Sequence, residues 1–466
     1  MQVAAPFRVV LVNPYELGRQ PFALAQPAAW LAREGFSVRC IDLSLEKLDP
    51  AVLADAGVVA ICVGMHTATR IAIEALPRIR ELAPHAHLCV YGLYAPMNEA
   101  RLRALGVGTV LGGEVEPALL ALCAALRDGA PAPQRPVVSL DRIGFAVPDR
   151  SGLPQLSRYA HLVLPDGGTR AVGFAEGSRG CKHLCRHCPV VPVYEGTFRV
   201  VPVDVVMADI AQQVAAGATH VSFGDPDFFN GPTHGMRLAR ALHAAHPEVS
   251  FDATIKIQHL IAQADLLPEL RACGCLFITS AVEAVDEDIL RRLDKNHTRA
   301  DFATAVALTR AAGISLAPTF VAFTPWTTLE GFLDLLGELV ALDLVESVAP
   351  VQLTIRLLVP EGSWLLRLPG FPERLGAFDP ALLGYPWVHA DPKVDALQRE
   401  LQALVMQAEA AGTSRKDLFA AVWKLAHAAA GRAAPALPDT AEAAVPRLSE
   451  PWYCCAEPTA QQLQSF

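Results

Sequence analysis

Short apolar runs alternate with helix-patterned segments along most of the chain, and this alternation limits the folds open to it. Residues 7–13, 36–42, 58–64, 87–92 and 107–111 are apolar runs of strand length, and residues 21–34, 69–82, 102–105 and 117–126 carry helical spacing. Strand and helix in turn make a parallel, doubly wound sheet, whose ligands bind at the carboxyl ends of its strands. Glycines stand at those ends, namely Gly64, Gly92, Gly112 and Gly113. Residues 128–136 (DGAPAPQRP) are rich in Pro, Gly and Ala and read as a linker.

A second alternation follows. Residues 159–174 predict a hairpin around Pro165-Asp166-Gly167-Gly168. Strands are expected at 219–223, 249–253, 275–280, 314–320 and 348–355, with helices at 205–215, 235–245, 266–272, 286–293, 300–312 and 329–342. That order predicts a partial (β/α)6 barrel of the TIM type, with its active site at the carboxyl ends of the strands. Gln352, Thr354 and Arg356 alternate and are expected on one face of the last strand. Two amphipathic helices, 394–409 and 414–429, are expected to pack on the barrel. The expected division is a doubly wound domain over 1–128, a linker over 129–158, a barrel over 159–362 and a helical C-terminal extension over 363–466.

Composition removes several function classes. Hydrophobic residues are 52% of the 466 and charged residues 19%, which supports a large core and excludes global disorder. Net charge is −9 and no basic run stands out, so a nucleic-acid partner is not expected. Neither a leader peptide nor a membrane span is read, and a cytoplasmic enzyme is expected. The 11 cysteines cluster, which suits reduced metal-binding thiols better than disulfides.

Between hairpin and barrel lies Gly177-Ser178-Arg179-Gly180-Cys181-Lys182-His183-Leu184-Cys185-Arg186-His187-Cys188-Pro189. Three thiolates in one loop can hold three irons of a [4Fe–4S] cluster and leave the fourth iron open to a chelating substrate. A zinc site that adds His183 or His187 is the alternative. The C-x3-C-x2-C spacing of Cys181, Cys185 and Cys188 resembles that of the radical S-adenosylmethionine (SAM) family, with His187 where that family usually has an aromatic residue. The resemblance implies a [4Fe–4S] cluster, SAM bound at the open iron, a 5′-deoxyadenosyl radical, and a reductase, flavodoxin or ferredoxin as electron donor. It also implies a small-molecule or peptide substrate. It places SAM-binding groups at Gly224 and Asp225 after one barrel strand and at Ser280 and Glu283 after another, while the polar face of Gln352, Thr354 and Arg356 is expected to contact substrate or SAM. A capped turn is the competing reading of Gly224-Asp225-Pro226-Asp227, and a solvated lysine that of Lys256.

The first domain resembles the cobalamin-binding domain that precedes many radical SAM domains. The resemblance rests on strand-helix order, on Met65-His66-Thr67, and on Gly92 and Gly112-Gly113-Glu114. It implies cobalamin held near Gly92, Gly112 and Gly113, and methyl transfer to an unactivated carbon. The Asp-x-His-x-x-Gly cobalt-ligand signature is absent, and Asn13-Pro14-Tyr15 takes the place after the first strand. The end of the chain, Cys454-Cys455-Ala456-Glu457-Pro458, resembles the CUAEP/CCAEP-tail radical SAM (seleno)proteins, which implies catalytic thiols at Cys454 and Cys455. Two further readings stay open: a cobalamin-independent radical enzyme with the tail cysteines as auxiliary ligands, and a non-enzymatic thiol-rich metal or metalloid carrier.

Overall fold

The structure is a computed structural model and describes residues 7–133, 136–438 and 445–450. The first sheet contains β1 (Arg8–Asn13), β2 (Ser37–Asp42), β3 (Ala56–Cys62), β4 (His87–Tyr91), β5 (Thr109–Gly113) and β6 (Val138–Ser139). They run parallel in the order β2-β1-β3-β4-β5-β6. Successive side chains of a strand leave opposite faces. Val10, Val12, Val59 and Ile61 therefore enter one apolar cluster, and Val9, Leu11, Val58 and Ala60 the other. Helices Phe22–Arg33 and Glu116–Arg127 cover the second face, and His66–Leu82 the first. Both faces are dry, which is why these strands read as unbroken apolar runs.

The second sheet holds β7 (His161–Val163) and β8 (Thr169–Ala175), which form the expected hairpin. Next come the two-stranded ribbon β9 (Ser178–Gly180) and β10 (Phe198–Val200), then β11 (His220–Phe223), β12 (Ser250–Thr254), β13 (Cys275–Glu283) and β14 (Ser315–Phe320). The last strand is β15 (Arg447–Leu448), and the sheet order is β14-β13-β12-β11-β8-β7-β15. The strands β8, β11, β12, β13 and β14 are parallel, as a partial barrel requires.

Two expectations differ in the structure. The strand expected at 348–355 is a 3-10 turn, Pro350–Leu353. Pro350 has no N–H to give to a ladder, so it starts the turn instead. Gln352 Oε1 accepts from Phe320 N at 3.0 Å, and a single bridge from Arg356 to Phe323 is what continues the sheet beyond β14. Gln352, Thr354 and Arg356 consequently share no strand face. Part of the expected linker is structure, because β6 adds to the first sheet. The extension beyond 363 begins with short turns, and its long helices are Pro392–Ala410 and Arg415–Ala429.

The linker is also pinned by a buried charge. Arg150 donates to both oxygens of Asp209 (2.6 and 2.8 Å), to Gln20 Oε1 (2.9 Å) and to Phe174 O (2.6 Å). One guanidinium thus joins the first domain to the barrel. Removing one member of such a pair leaves a buried charge without its partner. Arg150→Met is expected to cost about 3–5 kcal/mol, read as a lowered urea midpoint. Arg150→Met with Asp209→Leu is expected to recover part of that loss, since no lone charge then stays behind.

The domain seam carries carboxylates too. Burial pushes Glu16 up to about 8, with Glu176 and Asp42 adding to it, and burial pushes Glu176 up to about 7 against the pull of Arg179. A carboxyl raised in the folded state stabilises below its unfolded value near 4.5, and that contribution is lost as pH rises through the folded value. The stability of Glu16→Gln relative to the wild type should therefore grow between pH 6 and pH 9, measured as the difference in urea midpoint. A constant difference would refute the shift.

Candidate active site

The cysteine loop leaves β9 at the carboxyl end of the barrel strands, held from three directions. At its entry, Asp225 accepts from Gly177 N at 2.9 Å and from the Ser178 hydroxyl. Burial pushes the Asp225 carboxyl up to about 6, while those two donors work against the rise. Gly180 has φ +72°, and a Cβ there would lie 2.3 Å from Thr197 O, so the residue before Cys181 must be glycine. Arg179 reaches across to the first domain. It donates to Glu114 (2.9 Å), Glu116 (2.7 Å) and Glu176 (3.3 Å). Burial opposes its charge, but Glu116 and Glu176 outweigh burial and hold it firmly protonated.

The exit of the loop is held by Glu283. Strand β13 carries a register shift between Ala281 and Glu283, and Glu283 has φ +70°. Bulges and positive φ at a non-glycine residue are uncommon and concentrate at working sites. The bulge sets the carboxylate against His187 Nε2 (3.0 Å) and Lys295 Nζ (3.3 Å). Burial alone would raise Glu283, but Lys295 and His187 outweigh it and hold the carboxyl down at about 2. His187, the departure from the usual aromatic, thus has a defined partner.

Cysteines 181, 185 and 188 are unbridged. Lys256 is 6% exposed and its Nζ lies 3.3 Å from Cys185 Sγ. The charges of Cys185 and Cys188 help to raise the Lys295 pKa against burial, so both thiols stand within electrostatic reach of that ammonium. Three thiols on one loop with two buried lysines beside them match the donor set of a thiolate-held cluster. His183 and His187 turn to different carboxylates, Asp227 and Glu283, so the loop does not assemble a Cys/His zinc site.

The other expected residues divide. Gly224, Asp225, Ser280 and Glu283 do lie at the ends of β11 and β13. Gly224 is overlain by Phe174, whose Cζ would be 2.0 Å from a Cβ. Asp225 is already bonded to the loop and acts as its anchor. Ser280 is fully buried and its Oγ has no hydrogen-bond partner, a group suited to a ligand hydroxyl. Arg356, which bridges to Phe323 beyond β14, pairs through its guanidinium with Asp395 at 2.5 Å, donates to Trp387 O and stacks on the Trp387 ring.

A Cβ at Gly92 would lie 3.0 Å from Val63 O, at Gly112 2.2 Å from Pro96 Cγ, and at Gly113 2.1 Å from Ser139 O. On the Cβ side these glycines admit the chain's own atoms, including β6. His66 Nε2 lies 2.6 Å from Leu382 O, and burial pushes the ring pKa down to about 4. Among these strand ends Gly64 alone has open space over it. Cys454 and Cys455 lie outside the described residues.

Sequence reasoning missed Lys295 and underweighted Lys256. Lys295 sits in Asp294-Lys295-Asn296, where Asp294 and Asn296 both take left-handed backbone, and Asp and Asn are the types that signal such a turn. Its burial follows from the bulge in β13, which has no local signature. Lys256→Met should retain the cluster and move its midpoint potential to more negative values, because a positive charge beside Cys185 stabilises the reduced state. An unchanged potential would show that Lys256 does not feel the cluster.

Residues 176–336 match the model of the radical SAM superfamily. The ribosomal protein uS12 methylthiotransferase RimO of Geobacter sulfurreducens is 25% identical over 216 residues, which are 42% of this chain and 47% of that protein. The match therefore spans about half of the relative's length. The radical SAM methyltransferase TsrM from Kitasatospora setae, solved with tryptophan and a SAM analogue, is 20% identical with a TM-score of 0.57, over 72% of this chain and 71% of that one. The cobalamin-dependent SAM radical enzyme OxsB, solved with aqua-cobalamin and SAM, is 15% identical with a TM-score of 0.64, over 87% of this chain and 67% of that one. At these identities the likeness is one of fold. Among the described residues no helix is long and apolar enough to cross a membrane. The domain match and the cysteine loop agree: residues 176–336 carry a radical SAM superfamily domain with Cys181, Cys185 and Cys188 at its start.

Proposed function

We propose that this enzyme cleaves SAM reductively and uses the resulting 5′-deoxyadenosyl radical to modify a small molecule or a peptide in the cytoplasm. The observation that carries this reading is the loop of Cys181, Cys185 and Cys188 at the barrel mouth with Lys256 against Cys185. A [4Fe–4S] cluster held there supplies the electron that breaks the C–S bond of SAM. The chain's own residues do the rest. Lys256 and Lys295 offset thiolate charge, Asp225 and Arg179 fix the loop's approach, and Ser280 offers an unpartnered hydroxyl to the bound nucleoside. Cys454 and Cys455 are proposed as catalytic thiols acting after the radical forms.

The finer version is cobalamin-dependent methyl transfer. Its support is the order of the two domains and the likeness of fold to OxsB and TsrM. A second reading, radical chemistry without cobalamin, is favoured by the self-filled positions at Gly92, Gly112 and Gly113. Reconstituted protein is expected to form 5′-deoxyadenosine from SAM with dithionite, and Cys185→Ala to lose it by at least a hundredfold. Absence of that product from the wild type overturns the function. Cobalt near one equivalent after growth with cobalamin supports the methyl-transfer version, and cobalt below a tenth of an equivalent selects the second reading.

A further inference from the structure

The cysteine loop sends its two histidines to separate places, and only His187 is used by the contacts that hold the loop's exit. His183 Nε2, Asp227 Oδ2 and His259 Nδ1 lie within 4.8 Å of one another. They come from three parts of the fold: the loop, the turn after β11 and the helix Ile257–Ala262 after β12. Asp227 has 0% exposure. Its Oδ1 accepts from Phe229 N (3.2 Å) and Lys256 N (3.5 Å), which fixes the carboxylate plane. Its Oδ2 stands 2.6 Å from His259 Nδ1 and 3.6 Å from His183 Nε2. All three atoms are buried and no regular hydrogen bond joins them, although both rings lie close enough to lower the Asp227 carboxyl against burial. Three ligand-type atoms thus converge on one point. Buried polar groups left in that condition are costly, and a cation satisfies all three together.

The surroundings complete the pattern. The Gln258 amide lies 3.4 Å from His183 Nδ1, and Gln258 Oε1 is itself buried without a partner. A half-turn of that amide places Oε1 at Nδ1. His183 then donates Nδ1–H to Gln258 and keeps the Nε2 lone pair for a metal. Metal-ligating histidines are held by such a partner on their other nitrogen.

We propose that His183, Asp227 and His259 bind one divalent first-row metal ion. Two imidazole nitrogens and one carboxylate oxygen suit Zn2+ and leave its fourth position open. That position takes water or a Lewis-basic group of the substrate, such as a carboxylate, hydroxyl or thiolate. The ion also ties the cysteine loop to the ends of β11 and β12. It uses no cysteine and is separate from the cluster.

The test uses full-length protein with Cys454→Ser and Cys455→Ser, so that tail thiols cannot bind zinc. The protein is reconstituted with iron and sulfide and titrated with Zn2+ against a chromophoric chelator. One Zn2+ per chain is expected, with a first shell of nitrogen and oxygen by zinc-edge X-ray absorption. His259→Ala and His183→Gln are each expected to weaken it at least tenfold, with cluster absorbance and far-UV circular dichroism unchanged. If His183→Gln disturbs the loop, His259→Ala decides, because it lies outside the loop. No stoichiometric zinc, an affinity unaffected by His259→Ala, or sulfur in the first shell overturns the proposal; the three groups then share only a proton. Formation of 5′-deoxyadenosine is read in parallel on protein with its tail cysteines intact, so failure of the radical function is told apart from failure of the zinc site.

Discussion

One guanidinium, that of Arg179, sits among Glu114, Glu116 and Glu176 and closes the seam between the two domains. Two of those carboxylates belong to the turn after β5, and Arg179 stands two residues ahead of Cys181. The first domain therefore contributes directly to where the cysteine loop lies. Two buried acids and a half-buried third around one base are stable only while the base is present, since each buried carboxylate alone would meet a desolvation cost of several kcal/mol. The arrangement also needs Arg rather than Lys: a planar fork reaches three acceptors from one position, and a point charge does not. Gly112-Gly113-Glu114 is thus a clasp for the barrel, built by letting β6 approach Gly113 closely.

Much of the fold was legible because buried parallel strands announce themselves. The run 7–13 has an apolar residue wherever either face needs one, and both faces of β1 are dry. The hairpin at 161–175 was legible through Pro165-Asp166-Gly167-Gly168. Legibility ended where a tertiary partner decides. Residues 348–355 carry an apolar pattern suited to a strand, but Pro350 breaks the ladder and a glutamine side chain replaces it. Residues 129–158 have linker composition, yet Val138 and Ser139 find the open edge of β5, and Arg150 finds Asp209.

The site divides the same way. Cysteines at 181, 185 and 188 were legible because a cluster loop draws its ligands from one short segment. The groups around them come from far along the chain: Lys256 from the end of β12, Lys295 from a turn beyond β13, and Glu283 from a bulge. No local pattern marks a lysine that will be buried, and lysine is almost never buried without a partner. Glycines are ambiguous for the opposite reason. A glycine at a strand end records a close approach, and it does not say whether a cofactor or the chain itself makes it.

The three holds on the loop differ in what they fix. Asp225 bonds to backbone and hydroxyl at the entry and so sets the path of the main chain. Arg179 couples that path to the first domain. Glu283 grips His187 beside the last cysteine and is itself neutralised by Lys295. The Asp225 and Glu283 holds start from the carboxyl ends of β11 and β13, which β12 joins in one parallel ladder, and the Arg179 hold reaches the end of β5 in the first sheet. A loop tied in this way to two sheets cannot drift without breaking a buried contact. Loops are ordinarily the mobile part of a fold. This one gains its rigidity from charge pairs that the barrel and the first domain supply together, and Lys256 brings its ammonium to Cys185 only because that rigidity holds.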